Sequence, residues 1–220
     1  MTTLRDMNLL ERYGVLRSAL VSDCLDQVGI RDNVMAPRIR PLDPGSRLAG
    51  YAMTIALELV DGHPEDKSLW YKGELEAVDS LEPGDVVVVS TCPGPIWGEL
   101  LATAARAKGA VGAIADAGVR DTVQLVEMGF PTFTSLISPA DGLGRADVRA
   151  AKVPVNCGDV PVSPGDLVVA DNDGVVVVPL HAAEEVLRLA EQKSAAEDQV
   201  REELARGDSV REVFLRHGVL

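Results

Sequence analysis

Apolar residues near the start of the chain recur at helical steps: Leu9, Tyr13, Leu16 and Leu20, then Leu25 and Val28. The spacing predicts helix over much of Leu4 to Val28, with Ser22 or Asp23 able to cap a second helix that stops at Gly29. From Arg31 to Gly50 glycine and proline accumulate and periodicity is lost, which reads as loops with short extended pieces. Tyr51 to Val60 (YAMTIALELV) reads as a strand, and the polar stretch from Asp61 to Ser80 as a loop and a short helix. Two segments then resemble each other. Pro83-Gly84-Asp85 precedes VVVV, and Pro164-Gly165-Asp166 precedes LVVA. Proline presets φ at the second position of a type II turn and glycine supplies the positive φ of the third, so each is a turn that feeds a buried strand. Their flanks do not match, so this is no duplication. A third run, Val175 to Val178, follows Asp171-Asn172-Asp173-Gly174 and predicts a hairpin.

The middle alternates strand and helix. Val86 to Ser90 is a strand, and Thr91-Cys92-Pro93-Gly94-Pro95 cannot be helical. Trp97 to Lys108 is a helix stopped by Gly109, Val111 to Ala115 a strand, Asp116 to Asp121 a loop, and Thr122 to Met128 a helix ending at Gly129. Such alternation implies parallel strands with right-handed crossovers, an α/β fold. His181 to Arg206 is a long charged helix with a thin apolar stripe of Val186, Leu189, Val200 and Leu204. It suits a molecular surface or the face of another subunit. Nothing suggests an interdomain linker, so residues 1–220 read as a single domain.

Composition narrows the function classes. Thirty-four Asp and Glu against 21 Lys and Arg leave a net charge of −13, which repels phosphate backbones and argues against nucleic-acid binding. No apolar run approaches the ~20 residues of a membrane-spanning helix, and the start, MTTLRDMNLLERYG, does not read as a signal peptide. Cys24, Cys92 and Cys157 lie far apart with no C-x-x-C, the pattern of a reduced, cytoplasmic chain. Aromatic residues are only 4%, so Val, Leu, Ile and Ala must fill the core.

Two constellations could carry chemistry. The helix opening at Gly98-Glu99-Leu100-Leu101 follows a Pro/Gly-rich loop, so its first N–H groups lack intrahelical partners and can bind a carboxylate or phosphate. The alternative is that water or a cap satisfies them. After the next strand, Arg120 offers a planar fork for a carboxylate or enolate oxygen, and Asp121 a hard oxygen ligand for Mg²⁺. Here the alternatives are a surface ion pair, or a cap on the helix at Thr122. Gly109, Gly112 and Gly118 do not form a dinucleotide-binding motif, and His63, His181 and His217 have no metal-ligand spacing. Cys92 reads as a packed residue, and Asp171 and Asp173 as turn residues.

The run GELLATAARAKGAVGAIADAGVRD from Gly98, with NCGDVPVSPGDLVVADNDGVVVVP from Asn156, resembles the 4-hydroxy-4-methyl-2-oxoglutarate / 4-carboxy-4-hydroxy-2-oxoadipate aldolases and the related regulators of ribonuclease E activity. The resemblance extends from about Leu16 to the C-terminal helix. It implies a compact β/β/α fold of the swivelling phosphohistidine type, assembled as homotrimers or homohexamers with sites between subunits. It further implies a class II aldolase that releases pyruvate and decarboxylates oxaloacetate as a side activity. In that picture the backbone of Gly98, Glu99, Leu100 and Leu101 holds the pyruvoyl carboxylate, Arg120 contacts the substrate, and Asp121 binds Mg²⁺ or Mn²⁺. Glu99 holds a water for proton transfer, and Glu197 from a neighbouring subunit completes the water shell. Two departures stand out. The family commonly has Asp-Gly-x-x-Arg-Asp where Ala117 and Gly118 here reverse the inner positions, and an alanine at a positive φ would cost about 1 kcal/mol or more. Glu99 is also a methylene longer than the family's aspartate. The other reading from the resemblance is a non-catalytic regulator that binds a ribonuclease. A phosphate-binding transferase, suggested only by the fold name, lacks a phospho-carrying histidine in the site loops.

Overall fold

A computed structural model describes residues 5–219. Helix α1 (Met7–Gly14) begins at Asp6, whose carboxylate accepts from the N–H groups of Asn8 and Leu9. Helix α2 (Ser18–Gln27) starts one turn earlier than expected, so Ser22 and Asp23 lie inside it; Leu4, the expected start of the helical stretch, lies outside the described residues. Its true cap comes from far along the chain: the buried Asp171 carboxylate accepts from the Ser18 N–H and hydroxyl at 2.9 and 2.6 Å. Asp171 is thus more than a turn residue. Gly29, at φ +83°, follows the helix as expected.

The strands are β1 (Arg40–Pro41), β2 (Leu48–Leu59), β3 (Asp85–Val89), β4 (Pro95–Trp97), β5 (Gly112–Val119), β6 (Thr132–Ile137), β7 (Ala146–Ala151), β8 (Val155–Cys157), β9 (Val160–Val162), β10 (Leu167–Asp171) and β11 (Gly174–Val178). Between them lie α3 (Lys72–Asp79), α4 (Glu99–Ala107) and α5 (Thr122–Glu127), and α6 (Ala183–Ala205) and α7 (Val210–His217) end the chain. The main sheet runs β1-β6-β5-β3-β2-β10-β11, with β4 added to β5 and β7 to β2, while β8 and β9 pair separately. Strands β2, β3, β5 and β6 are parallel neighbours, as the alternating pattern implied. Residues 33–41 bond to β11 at one end, through Asn33 and Met35, and to β6 at the other, through β1. They draw the two sheet edges together into a nearly closed barrel.

Both faces of the central strands are covered, which is why they read as unbroken valine runs rather than an alternation. Val86 and Val88 join Ile114, Phe133, Val168 and Val177 in one cluster, while Val87 and Val89 pack with Ala102, Ala105 and Leu125 of α4 and α5 in another. A third cluster packs Leu167, Val169, Val176 and Val178 against α1, α2 and α6. The two Pro-Gly-Asp turns are built alike. Gly84 and Gly165 hold φ +85° and +88°, and the Asp85 and Asp166 carboxylates accept from the N–H groups of Glu82 and Ser163. Asn172 and Asp173 form the hairpin loop between β10 and β11.

Three expectations need correction. Strand β5 continues to Val119, so Asp116 to Val119 are strand rather than loop. The Pro/Gly-rich segment contains the short strand β4, and Trp97 belongs to it rather than to α4. Helix α7, unforeseen, folds back on α6, where Glu203 accepts from Arg216 and meets His217. Helix α6 packs along α2, held by a Lys193–Asp23 ion pair, and meets α1, where Arg12 makes a paired contact with Glu191 at 2.8 and 2.7 Å. Among the described residues no helix is long and apolar enough to cross a membrane.

Candidate functional site

Strand β4 brings the two sequence-predicted pieces together. Pro95 and Trp97 pair with Gly118 and Val119, the Gly118 N–H donates to the Gly94 carbonyl and the Arg120 N–H to that of Trp97, each at 2.9 Å. The residue after β4 is Gly98 and the residues after β5 are Arg120 and Asp121, so both lie at one strand end. Contact here is close enough to demand glycine twice. A Cβ on Gly118 would sit 2.9 Å from Pro95 Cα, and one on Gly98 would sit 2.7 Å from Asp121 Oδ2 and 3.1 Å from Arg120 Cγ. Ala117, by contrast, is buried in β5 and has no positive φ. The strain expected there falls instead on Asp121, at φ +56°.

No side chain of its own caps α4 at Gly98. The Glu99 N–H donates to Asp121 Oδ2 at 3.2 Å, whereas those of Leu100 and Leu101 meet no partner among the described residues. Asp121 thus caps α4, not α5, where its side chain makes no capping bond. Free amides and the positive end of the helix dipole make this a place for an anion. The Leu100 side chain is 76% exposed, and Leu101 packs partly on the core. The Glu99 carboxylate accepts from Thr103 Oγ1 at 2.8 Å, one turn along its own helix.

Gly98, Leu100, Leu101, Arg120 and Asp121 line a cavity of about 190 Å³ together with Tyr71, Glu74, Trp97 and Asp141. Among the described residues, Arg120 is the one cation that lines it. The guanidinium Nη1 lies 3.2 Å from Asp141 Oδ1, and Nε 3.7 Å from Asp121 Oδ2. Tyr71 donates its hydroxyl to Asp141 Oδ2 at 2.6 Å. This bond, with help from Arg120 and nearby backbone N–H groups, holds the Asp141 carboxyl below the ordinary range, and it pushes the Tyr71 phenol up to about 12. Glu74 is only 6% exposed, and burial, with Asp147 and Asp141 nearby, pushes its carboxyl up to about 8. Tyr71, Glu74 and Asp141 were missed in the sequence. One signal was present for Glu74: it shares the buried face of α3 with Ala77 and Val78, at i+3 and i+4, where an acid is out of place.

Glu197 is not brought to this cavity within the chain; it lies on α6 beside Lys193 at 3.8 Å. Cys92 is buried in the neighbouring core, consistent with packing. Behind the site, Asp116 ties strand ends to the segment before β1. Arg38 binds it through Nε and Nη2 at 3.1 and 2.7 Å, Thr91 donates its hydroxyl, and the Gly158 N–H donates at 3.1 Å. Burial alone would raise the Asp116 carboxyl, but these bonds outweigh it and hold it well below the ordinary range.

Among the described residues no three His, Cys, Asp or Glu side chains converge as a metal cage. Of the cavity's two partly exposed carboxylates, Asp141 is bonded by Tyr71 and Arg120, whereas Asp121 Oδ1 accepts no hydrogen bond from any described residue. Such a donor fits Mg²⁺ or Mn²⁺. Mg²⁺ in particular keeps several waters and takes one or two carboxylates plus substrate oxygens.

The chain matches the RraA-like family (Aldolase/RraA) over residues 18–177. It is 30% identical over 204 residues to a Halalkalibacterium halodurans protein named "Putative 4-hydroxy-4-methyl-2-oxoglutarate aldolase", covering 90% of this chain and 88% of that one. Among solved structures, an uncharacterized protein from Pseudomonas syringae superposes with a TM-score of 0.85 at 27% identity, over 98% of this chain and 97% of that one. Streptomyces coelicolor RraAS2, described as an unusual member of the RNase ES inhibitor RraA protein family, superposes with a TM-score of 0.75 at 29% identity, over 91% of this chain and 98% of that one.

Proposed function

The chain belongs to the RraA-like aldolase family, and on that premise we propose that it is a divalent-metal-dependent aldolase that cleaves a 4-hydroxy-2-oxo acid to pyruvate and a second carbonyl compound. The substrate class includes 4-hydroxy-4-methyl-2-oxoglutarate and 4-carboxy-4-hydroxy-2-oxoadipate. One observation carries the reading: the free amides of α4 and the Arg120–Asp121 corner share one cavity.

The Leu100 and Leu101 N–H groups receive the pyruvoyl carboxylate, where the α4 dipole adds to their donors. Arg120 directs its fork at the ketone oxygen, where negative charge develops as the C3–C4 bond breaks. Asp141, steadied by Tyr71, keeps that fork in place. Asp121 would hold Mg²⁺ or Mn²⁺, which supplies Lewis-acid withdrawal of electrons from the 2-oxo acid. Glu99 holds a water at the mouth. The same withdrawal of electrons would favour decarboxylation of oxaloacetate. Leu100 on α4, Val123 on α5 and Ile137 on β6 are exposed apolar side chains on elements that meet at this corner. They suit a second copy of the chain, in a homotrimer or homohexamer that brings Glu197 from its neighbour.

A pyruvate-release assay coupled to lactate dehydrogenase, over a panel of 4-hydroxy-2-oxo acids and oxaloacetate, tests this reading. Turnover that EDTA abolishes and Mg²⁺ restores supports it. The similarity to RraAS2 favours a second reading, a regulator that binds a ribonuclease. Absence of pyruvate from every oxo acid, with co-elution of a ribonuclease, would put that reading first.

A further inference from the structure

Glu74 has no role in that scheme, yet it is the most deeply placed acid of the cavity. It lines the wall shared with Arg120 and is 6% exposed. No hydrogen bond or ion pair joins its carboxyl to a described residue. Its Oε1 packs against the Gly142 backbone, so closely that a Cβ on Gly142 would lie 3.3 Å away. Burying a carboxyl without a partner is costly, and the opposite face of α3 faces water. An acid kept at such a site calls for a use inside the cavity.

We propose that Glu74 carries the proton that passes from the 4-hydroxyl of the substrate to C3 of the departing pyruvate enolate. This rests on the aldolase reading above. Ionised Glu74 accepts the hydroxyl proton. The electron pair of that O–H bond forms the carbonyl of the second product, and the C3–C4 pair moves into the pyruvate enolate. The same proton then bonds to C3, which yields pyruvate and returns Glu74 to its carboxylate. No oxidant or further reactant is needed. Glu99, which opens α4, is not among the residues that line the cavity, and its carboxylate accepts from Thr103 of its own helix.

Four groups face Glu74 from the elements packed on it. Asp141 from the loop after β6 and Asp147 from β7 oppose its ionisation, Arg120 favours it, and Tyr71 stands at the start of its own helix. The balance, with burial, leaves a carboxyl near 8. That suits a group that must both take and give a proton near neutral pH.

The test is exchange of the pyruvate methyl protons in D₂O with Mg²⁺, followed by NMR, in the wild type, Glu74→Gln and Glu99→Gln. Glu74→Gln should lose about 100-fold or more of the exchange while its affinity for oxalate, an enolate mimic, is unaltered. Wild-type exchange should rise as the pH passes through about 8, and Glu74→Asp should recover part of the rate. Wild-type exchange in Glu74→Gln, or its loss in Glu99→Gln alone, overturns the assignment and leaves the aldolase reading intact. Should Glu74→Gln fold poorly, a wild-type profile with no rise near that pH overturns it equally. A wild type that neither exchanges nor releases pyruvate removes the aldolase reading and this assignment together.

Discussion

Asp121 Oδ2 lies 3.2 Å from the backbone nitrogen of Glu99, so the first residue of one helix is bonded by the residue that precedes the next. That bond fixes the distance between free helix amides and the Arg120 fork, and leaves Oδ1 of the same carboxylate open. Asp121→Asn keeps an acceptor for the Glu99 N–H and should fold normally while losing more than about 100-fold of metal-dependent turnover. Asp121→Ala should lose as much activity and, in addition, about 1 kcal/mol of stability with the cap. Pyruvate assays and thermal melts on both variants check the difference between them.

Gly98→Ala should separate activity from stability in the opposite sense to a core mutation. Its new Cβ would press on Asp121 Oδ2 and Arg120 Cγ, both of which can swing aside into the cavity. The fold then survives, but a displacement on the order of 1 Å costs ~100-fold in rate. Melting and steady-state kinetics on one preparation read both effects.

Tyr71→Phe removes the 2.6 Å bond that steadies Asp141, and through it the Arg120 fork. A hydrogen bond to a charged group contributes about 1.5–3 kcal/mol, so KM for the oxo acid should rise by roughly tenfold or more, with a smaller change in kcat. Asp141→Asn should behave alike. Equal falls in kcat and kcat/KM would instead mean that Tyr71 acts only in the transition state.

Stability should fall at both ends of the pH range, for different residues. Glu74 is held above its ordinary 4.5, up to about 8, so its contribution is fully present below about 4.5 and is lost progressively as the pH rises to about 8. Asp116 is held below its ordinary 3.8, so its contribution is present above that value and is lost as the pH falls. Melts of the wild type should therefore drop progressively from about pH 4.5 to about 8 and level off above it, by about 2–4 °C per kcal/mol for a chain of this size. Glu74→Gln should abolish that drop. Arg38→Ala, which strips the buried Asp116 carboxylate of a partner but leaves the Thr91 and Gly158 bonds, should destabilise at neutral pH by less than the ~3–5 kcal/mol of a fully buried pair, because Arg38 is itself part-exposed.

The valine strands and the parallel sense of the middle ones were legible because each run must be covered on both faces and alternates with helices, and the Pro-Gly turns announced where β3 and β10 begin. The pairing of Gly98 with Arg120 and Asp121 was legible because α/β topology puts them beyond the same strand ends. What stayed hidden is instructive. β4 disappears into Pro95-Ile96-Trp97 because proline masks a strand whose partner, Gly118, yields it room. Asp116 sat in a supposed loop because nothing local reveals that Arg38, 78 residues earlier, binds it. Tyr71 and Asp141 are 70 residues apart and meet only in the folded chain.

Tyr71 and Asp121 each hold φ +56°, and each stands immediately before a helix at the cavity. Bulky residues adopt that conformation reluctantly, at about 1–2 kcal/mol apiece. Glycine would relax the backbone at both positions but would also remove the Asp121 cap and the Tyr71–Asp141 bond, so the strain cannot be shed without loosening the site. The tension at these two joints is where endurance and turnover are set against each other.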